Sequence, residues 1–118
     1  MSYDIYLIDE NNEVIKLNKP KVMSMGTMQE GGEKEAHVNI TYNYGKAFWE
    51  HIDETEGIRW LYGKKAKDTI EVLVKAISEL KDNFSVDYWE YTEGNAKIAL
   101  MYLLELALLY PEGIWDGD

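Results

Sequence analysis

The sequence contains no cysteine. This absence excludes disulfide bonds, thiolate metal sites and a cysteine nucleophile, and it agrees with a reducing cytoplasm. Histidine is almost as scarce, with two residues in the whole chain. A zinc site needs three or four ligands, and beside His51 and Glu54, which stand close together on a predicted helix, His37 is the only other histidine. The sequence therefore predicts neither a metal site nor a cofactor.

Other catalytic patterns are missing as well. No serine stands in a Gly-x-Ser-x-Gly turn, and no Ser-His-Asp order can be traced. Asp116 and Asp118 flank Gly117 in an acidic tail, for which solvation is the expected state. We expect a protein that is not an enzyme.

Positive charge is scarce, because 22 acidic residues outnumber 12 basic ones and give a net charge of -10. That balance argues against direct binding to nucleic acid or to an anionic membrane, since both require a positive surface. Long apolar runs are also absent. Lys97 and Glu105 interrupt the longest one, which is too short to span a bilayer, and residues 3–8 are too short and too polar for a signal peptide.

The segment 93–110 predicts a helix around which the rest of the chain packs. It is apolar on nearly every side, which is typical of a helix inside a protein. Thr92 is the expected N-cap, and Pro111 ends the helix. One narrow stripe is expected to reach solvent or a partner: Lys97, Met101 and Glu105.

A small antiparallel sheet is predicted from the first third of the chain. β-forming residues and a turn cluster at 9–12 indicate a hairpin over 3–17 that ends at Pro20, and 37–42 reads as one more strand. The methionine-rich segment 21–36 predicts a mobile or ligand-facing loop with a short strand near 22–25.

Two further helices are predicted between the sheet and helix 93–110. Asn43 is the expected N-cap of the first, and the second covers 65–80. The apolar stripes that define them are Tyr44, Ala47, Phe48, His51 and Ile52 in the first, and Ala66, Ile70, Leu73, Val74, Ile77 and Leu80 in the second. With 118 residues, we expect a single α+β domain over 1–118, in which the sheet packs on a helical cluster.

The stretch 59–67 is the most suggestive of a binding site. It holds the only arginine, Arg59, and three lysines in an otherwise acidic protein. Lys64 and Lys65 fall at the start of a predicted helix, where free amides and the positive dipole end favour an anion. Trp60 and Tyr62 offer planes on which a base could stack. The alternative is an ordinary surface, in which Trp60 and Leu61 fill the core, Arg59 pairs with Glu56 or another surface acid, and the lysines are solvated.

Aromatic residues are numerous, with four tryptophans and nine tyrosines. Neighbours along a chain point in different directions. The runs 42–44 and 88–91 are therefore expected to leave a face available for a pocket or a subunit contact, and Tyr44 joins the candidate ligand-binding residues for this reason.

Four segments, 37–44, 57–63, 88–97 and 111–118, resemble those of a family of small proteins encoded by bacteriophages and prophages, and the likeness extends over nearly the whole chain. The resemblance implies a setting, the cytoplasm of an infected bacterium, and no catalytic residue. Small phage proteins of this kind include antagonists of host defence that sequester nucleotide signals, inhibitors that block a defence protein, and accessory morphogenesis factors.

These observations lead to one favoured hypothesis. The chain is expected to be a non-catalytic, homo-oligomeric protein that sequesters a small nucleotide-derived anion. The residues expected to bind it are Arg59, Trp60, Tyr62, Lys64, Lys65 and Tyr44. The alternatives are a phage inhibitor that binds a host defence protein through an acidic, nucleic-acid-like surface, an accessory morphogenesis protein, and an enzyme that degrades a signal.

Overall fold

A three-stranded antiparallel sheet in the order β4-β1-β5 forms the centre of the fold. The computed structural model describes residues 1–21 and 33–118. The strands of this central sheet are β1 (Ser2–Ile8), β4 (His37–Thr41) and β5 (Ile114–Gly117). In β1, Tyr3, Ile5 and Leu7 are buried and alternate with half-buried residues, which is the period of a strand with one face on the core.

The chain after β1 turns as predicted but then leaves the central sheet. The Asp9 carboxylate accepts hydrogen bonds from the amides of Asn11 and Glu13, and Asn12 is left-handed with a φ of 61°. Val14 forms a single bridge with Ile8. The next strand, β2 (Lys16–Lys21), pairs instead with β3 (Glu33–Glu35) in a separate two-stranded sheet.

The predicted hairpin over 3–17 is therefore correct in its turn and its first bridge, but not in its partner strand. Pro20 was expected to end the return strand, whereas β2 continues through it to Lys21. The strand predicted near 22–25 lies outside the described residues. The strand predicted at 37–42 is confirmed by β4, which pairs antiparallel with β1.

The first helical segment begins earlier than the sequence indicated. A 3₁₀ turn, Tyr42–Tyr44, leads into α1 (Gly45–His51). Its N-cap is Thr41, whose hydroxyl accepts a hydrogen bond from the amide of Asn43 at 3.2 Å. Asn43 is thus not the cap, because its side chain instead donates to the main-chain oxygen of Trp89.

The second predicted helix consists of a 3₁₀ turn, Ala66–Thr69, followed by α2 (Ile70–Glu79). Leu73 is buried as predicted, but Val74 is 48% exposed and Ala76 takes its place in the core. A 3₁₀ turn has three residues per turn instead of 3.6. It therefore rotates the apolar stripe relative to one drawn for a continuous α-helix.

The helix predicted at 93–110 is present as α3 (Glu93–Leu109). The Thr92 hydroxyl caps it by accepting a hydrogen bond from the amide of Asn95 at 3.0 Å. α3 packs against α2, α1 and β4, and buried side chains from the sheet and the helices join in one apolar core. This arrangement confirms the predicted α+β class. Within 1–21 and 33–118, no helix is both long and apolar enough to cross a membrane.

Trp115 on β5 is fully buried. Its indole Nε1 donates a 2.9 Å hydrogen bond to the hydroxyl of Thr69, which in turn donates to the main-chain oxygen of Ala66. Both side chains have no exposed surface. A buried indole N–H therefore depends on one hydroxyl.

Replacing Thr69 tests this dependence. Thr69→Val preserves the volume but leaves the indole N–H without an acceptor, and we expect the free energy of unfolding to fall by about 1–3 kcal/mol. Thr69→Ser keeps the hydroxyl and removes a methyl group, so it should be the milder change. Urea denaturation measures both. A valine variant as stable as the serine variant, or more stable, would contradict this role for the hydrogen bond.

Candidate functional site

The structure divides the basic stretch 59–67 among three separate environments. Arg59, Trp60 and Leu61 belong to a 3₁₀ turn, Gly57–Leu61, whereas Lys65 immediately precedes the turn Ala66–Thr69. The residues that the sequence grouped together therefore face different neighbours.

Lys65 and Lys67 both bind the same carboxylate. Their Nζ atoms lie 3.2 and 3.1 Å from the two carboxylate oxygens of Glu112. Hydrogen bonds from Lys67 and Lys65 hold the pKa of Glu112 below its ordinary value. The charge that Lys65 was expected to offer a ligand is thus shared with an internal partner.

The amides at the start of this helical segment are also occupied. The amide of Ala66 donates to the main-chain oxygen of Gly113 at 2.7 Å, and that of Lys67 to the oxygen of Pro111 at 2.9 Å. An anion at a helix start relies on such amides being free. The predicted anion site before helix 65–80 is therefore closed by the chain's own carbonyl groups.

Lys64 and Trp60 form a pair of their own. The Lys64 ammonium lies 4.1 Å from the centre of the Trp60 ring and donates a 2.6 Å hydrogen bond to the main-chain oxygen of Trp60. A cation over an aromatic face is a stabilising arrangement. It covers part of the indole surface on which a base was expected to stack.

Tyr44 lies in the core. It has no exposed surface, and its hydroxyl donates to the main-chain oxygen of Tyr88. Burial raises the pKa of the Tyr44 hydroxyl, and the nearby Tyr88 adds to the effect. The structure thus does not bring Tyr44 together with the basic residues.

Arg59 has no carboxylate side chain as a partner among the described residues, and the alternative in which it pairs with Glu56 is wrong. Its guanidinium carbon lies 4.9 Å from the centre of the Tyr3 ring and 5.6 Å from that of Tyr42. Its Nη2 donates to the Tyr42 hydroxyl at 3.1 Å and to the main-chain oxygen of Asp118 at 3.2 Å. Within the described chain, Nη1 and Nε have no hydrogen-bond acceptor.

Tyr62 supports this arrangement from the side of β5. Its hydroxyl donates to the same main-chain oxygen of Asp118 at 3.3 Å, and its ring lies against Gly117, where an added Cβ would be 2.7 Å from the Tyr62 hydroxyl. Burial raises the pKa of Tyr62, although the neighbouring Arg59 opposes that rise. Tyr62 therefore holds the tail in place beside Arg59.

A cleft of about 220 Å³ opens beside the arginine, and we name it the Arg59 cleft. Its lining consists of Tyr3, Trp49, Thr55, Glu56 and Arg59. The wall at 55–56 is fixed because the Asp53 carboxylate accepts hydrogen bonds from the amides of Thr55 and Glu56. The Arg59 cleft thus combines a cation, an aromatic surface and a hydroxyl.

Trp49 is the functional candidate that the sequence analysis missed. Its indole is 52% exposed and packs on Gly57, which has a φ of 60° and where an added Cβ would lie 2.8 Å from the ring. A signal was present, because Trp49 falls outside the apolar stripe of its own helix. A large aromatic residue on the exposed face of an amphipathic helix is a candidate contact residue.

The histidines are engaged in ion pairs or hydrogen bonds with carboxylates. His51 Nδ1 lies 3.0 Å from Glu79 Oε1, so it contacts α2 and not the Glu54 side chain considered as a metal partner. His37 Nε2 lies 3.1 Å from Asp4 Oδ1. Among residues 1–21 and 33–118, no group of three or more potential ligand side chains is placed to hold a metal ion.

Comparison with known proteins gives no family assignment. The chain matches no protein-family model, and no curated protein or solved structure is significantly similar to it. The inference about function therefore depends on the chemistry of the clefts and of the residues around them.

The Lys65–Glu112–Lys67 cluster gives a direct prediction. In an NMR titration, the Glu112 carboxyl should have a pKa below the ordinary value of a glutamate, and Lys67→Ala or Lys65→Ala should raise it because each removes a hydrogen bond. A depressed pKa adds stability above the ordinary pKa, and this contribution disappears as the pH falls through the folded-state pKa. The effect on unfolding should be small and weaker in salt, because all three groups are exposed. An ordinary pKa in the wild type would contradict the prediction.

Proposed function

We propose that this chain is a non-catalytic binding protein whose Arg59 cleft takes a small nucleotide-derived anion. One observation carries the proposal. In a chain with a net charge of -10, the only arginine is bound to tyrosines and main chain instead of a carboxylate side chain, and it lies in a cleft beside an exposed indole. A guanidinium that is not paired with an acidic side chain can pair with an anionic ligand.

The guanidinium is held in place before any ligand arrives. Contacts with Tyr3 and Tyr42 orient it, and Nη2 is bonded to the tail. A fixed guanidinium loses little side-chain entropy on binding. Its Nη1 and Nε donors point in different directions, and each is available for one hydrogen bond to an anion.

The other residues of the Arg59 cleft favour a nucleotide over a bare phosphate. The exposed Trp49 ring supplies a surface for base stacking. The Glu56 carboxylate repels a simple anion, but it can accept a hydrogen bond from a ribose hydroxyl or a base amino group. We therefore expect adenine nucleotides to bind more tightly than inorganic phosphate.

The size of the Arg59 cleft supports an oligomeric version of the proposal. Its 220 Å³ is below the ~300–1,000 Å³ that is typical of small-molecule sites. A symmetric second copy could complete the enclosure, since oligomers often build sites at their shared boundaries. The proposal thus retains the homo-oligomer expected from the sequence.

The biological setting in this proposal comes from the sequence resemblance alone. A phage protein that holds a nucleotide without converting it would act in the cytoplasm of an infected bacterium as a sponge for a host-defence signal. Such a protein needs affinity and abundance but no catalytic group.

Arg59→Ala and Trp49→Ala test the site. Losing a charge-assisted hydrogen bond costs about 1.5–3 kcal/mol, so Arg59→Ala should raise the dissociation constant for an adenine nucleotide ~10- to 100-fold. Trp49→Ala should have a similar effect through lost stacking, which contributes ~1–3 kcal/mol per base. Isothermal titration with AMP, cyclic dinucleotides and inorganic phosphate measures the affinities.

Trp89→Ala and Lys67→Ala are the matched controls. Trp89 is as exposed as Trp49 but lies outside the Arg59 cleft, and Lys67 is a cation held by Glu112. Both variants should bind like the wild type, with folding checked by circular dichroism. The proposal fails if none of these ligands binds the wild type, or if the control variants lose as much affinity as the cleft variants.

The oligomeric part has its own test. Size-exclusion chromatography with light scattering should give a mass that is a multiple of the chain mass of 13.7 kDa, because a second copy is needed to enclose the ligand. A monomer that binds nucleotide with unchanged affinity at all concentrations would exclude the shared site while leaving the Arg59 cleft intact.

A further inference from the structure

A second cleft lies at the other end of β1, between the turn after that strand and the connection from α3 to β5. It encloses about 430 Å³, and its floor is formed by the apolar parts of Ile15, Leu109, Tyr110 and Pro111. We name it the Leu109 cleft. It shares no lining residue with the Arg59 cleft, so the inference drawn from it is independent of the proposed function.

The walls of the Leu109 cleft are held by main-chain hydrogen bonds. On one side, the amide of Ile15 donates to the main-chain oxygen of Leu7 at 2.9 Å. On the other side, the amide of Gly113 donates to the main-chain oxygen of Tyr110 at 3.0 Å. The connection from α3 to β5 is also fixed by the amide of Lys67, which donates to the main-chain oxygen of Pro111. A concave apolar surface held by the backbone is a preformed site that needs little rearrangement to bind.

The charge around the Leu109 cleft is asymmetric. On the side of the turn, Asp9 and Glu10 line the rim, and within the described chain neither forms an ion pair with a lysine, arginine or histidine. On the opposite side, Glu112 is neutralised by Lys65 and Lys67. Uncompensated negative charge therefore stands along one edge of an apolar floor.

We propose that the Leu109 cleft binds a segment of a partner protein in which an apolar side chain stands next to a lysine or arginine. The apolar side chain would cover Leu109 and Ile15, and the cation would face Asp9 and Glu10. Charge complementarity selects this occupant, because Asp9 and Glu10 at the rim attract a cation and Ile15 and Leu109 offer an apolar surface beside them.

The surface beyond the Leu109 cleft favours a polypeptide over a small molecule. Leu109 is 57% exposed, and the neighbouring face of α3 adds Leu108 at 61% and Met101 at 49%. Met101 and Leu108 are two helical turns apart and lie on one side of α3. Adjacent exposed apolar residues on an acidic protein are typical of a protein interface.

The test uses the full chain and two synthetic peptides. One is a short helix-forming peptide of leucine and lysine, and the other has glutamate in place of every lysine. The leucine-lysine peptide should bind saturably and shift the NMR amide signals of residues 9–15 and 108–113, whereas the leucine-glutamate peptide should not. Equal binding of the two peptides, or no binding of the leucine-lysine peptide, would overturn the proposal.

Three variants identify the source of the binding. Glu10→Lys reverses a charge on the rim and should raise the dissociation constant of the leucine-lysine peptide about tenfold. Leu109→Gln should raise this dissociation constant by a similar factor, because apolar contact with the peptide is lost. Glu54→Lys is the matched control, because Glu54 is also exposed, lies outside the cleft and gives the same change in net charge.

The comparison of the two charge reversals is decisive. Affinity should fall for Glu10→Lys and stay within a small factor of wild type for Glu54→Lys. Equal losses would mean that the peptide senses only the overall charge, and the assignment to the Leu109 cleft would be wrong. All three positions are more than half exposed or lie in exposed turns, so each variant should fold, which circular dichroism verifies.

Discussion

The buried indole of Trp115 is the constraint on which the other contacts of the tail depend. Its bond to Thr69 anchors β5 against the start of α2, and main-chain bonds extend the attachment on both sides. The amide of Gly63 donates to the main-chain oxygen of Trp115, and the amide of Trp115 donates to the main-chain oxygen of Lys64. β5 is thus bonded to β1 on one edge and to the 63–67 segment on the other. A short strand with both edges bonded and a large residue in the core resists fraying.

This attachment explains why the basic stretch does not act as one cluster. Once 63–67 runs along the tail, Lys65 is brought to Glu112 at one end, while Arg59 reaches Asp118 at the other. The closeness of these residues in sequence suggested a common site. Their partners Glu112 and Asp118 lie beyond opposite ends of β5 and so hold them apart, because each residue of extended chain adds about 3.3 Å.

Local patterns predicted the parts of the fold that depend on local physics. The apolar composition of 93–110 and the hydroxyl of Thr92 were sufficient for α3 and its cap. Three other features depend on a 3₁₀ turn or on long-range pairing, which leave no periodic signal in the sequence. They are the cap at Thr41, the burial of Ala76 in place of Val74, and the partner strand of β2. For the candidate site, the scarcity of arginine drew attention to Arg59, and the structure shows that its guanidinium lies beside the Tyr3 and Tyr42 rings. Its aromatic neighbours could not be predicted, because Tyr3 comes from β1, Tyr42 from the 3₁₀ turn before α1, and Trp49 from α1.

The two clefts lie at opposite ends of β1 and differ in the chemistry they offer. Tyr3 lines the Arg59 cleft and Asp9, just beyond the strand, lines the Leu109 cleft, so they stand about 20 Å apart along an extended chain. β1 is hydrogen-bonded to a strand on each side, and a strand paired on both edges cannot shift its register without breaking both ladders. We therefore expect a ligand in one cleft to leave the register of β1 unchanged. The two proposals therefore assign ligands of opposite charge to opposite ends of β1. Because Glu112 is paired with Lys65 and Lys67, Asp9 and Glu10 are the carboxylates of the Leu109 cleft that form no ion pair among the described residues.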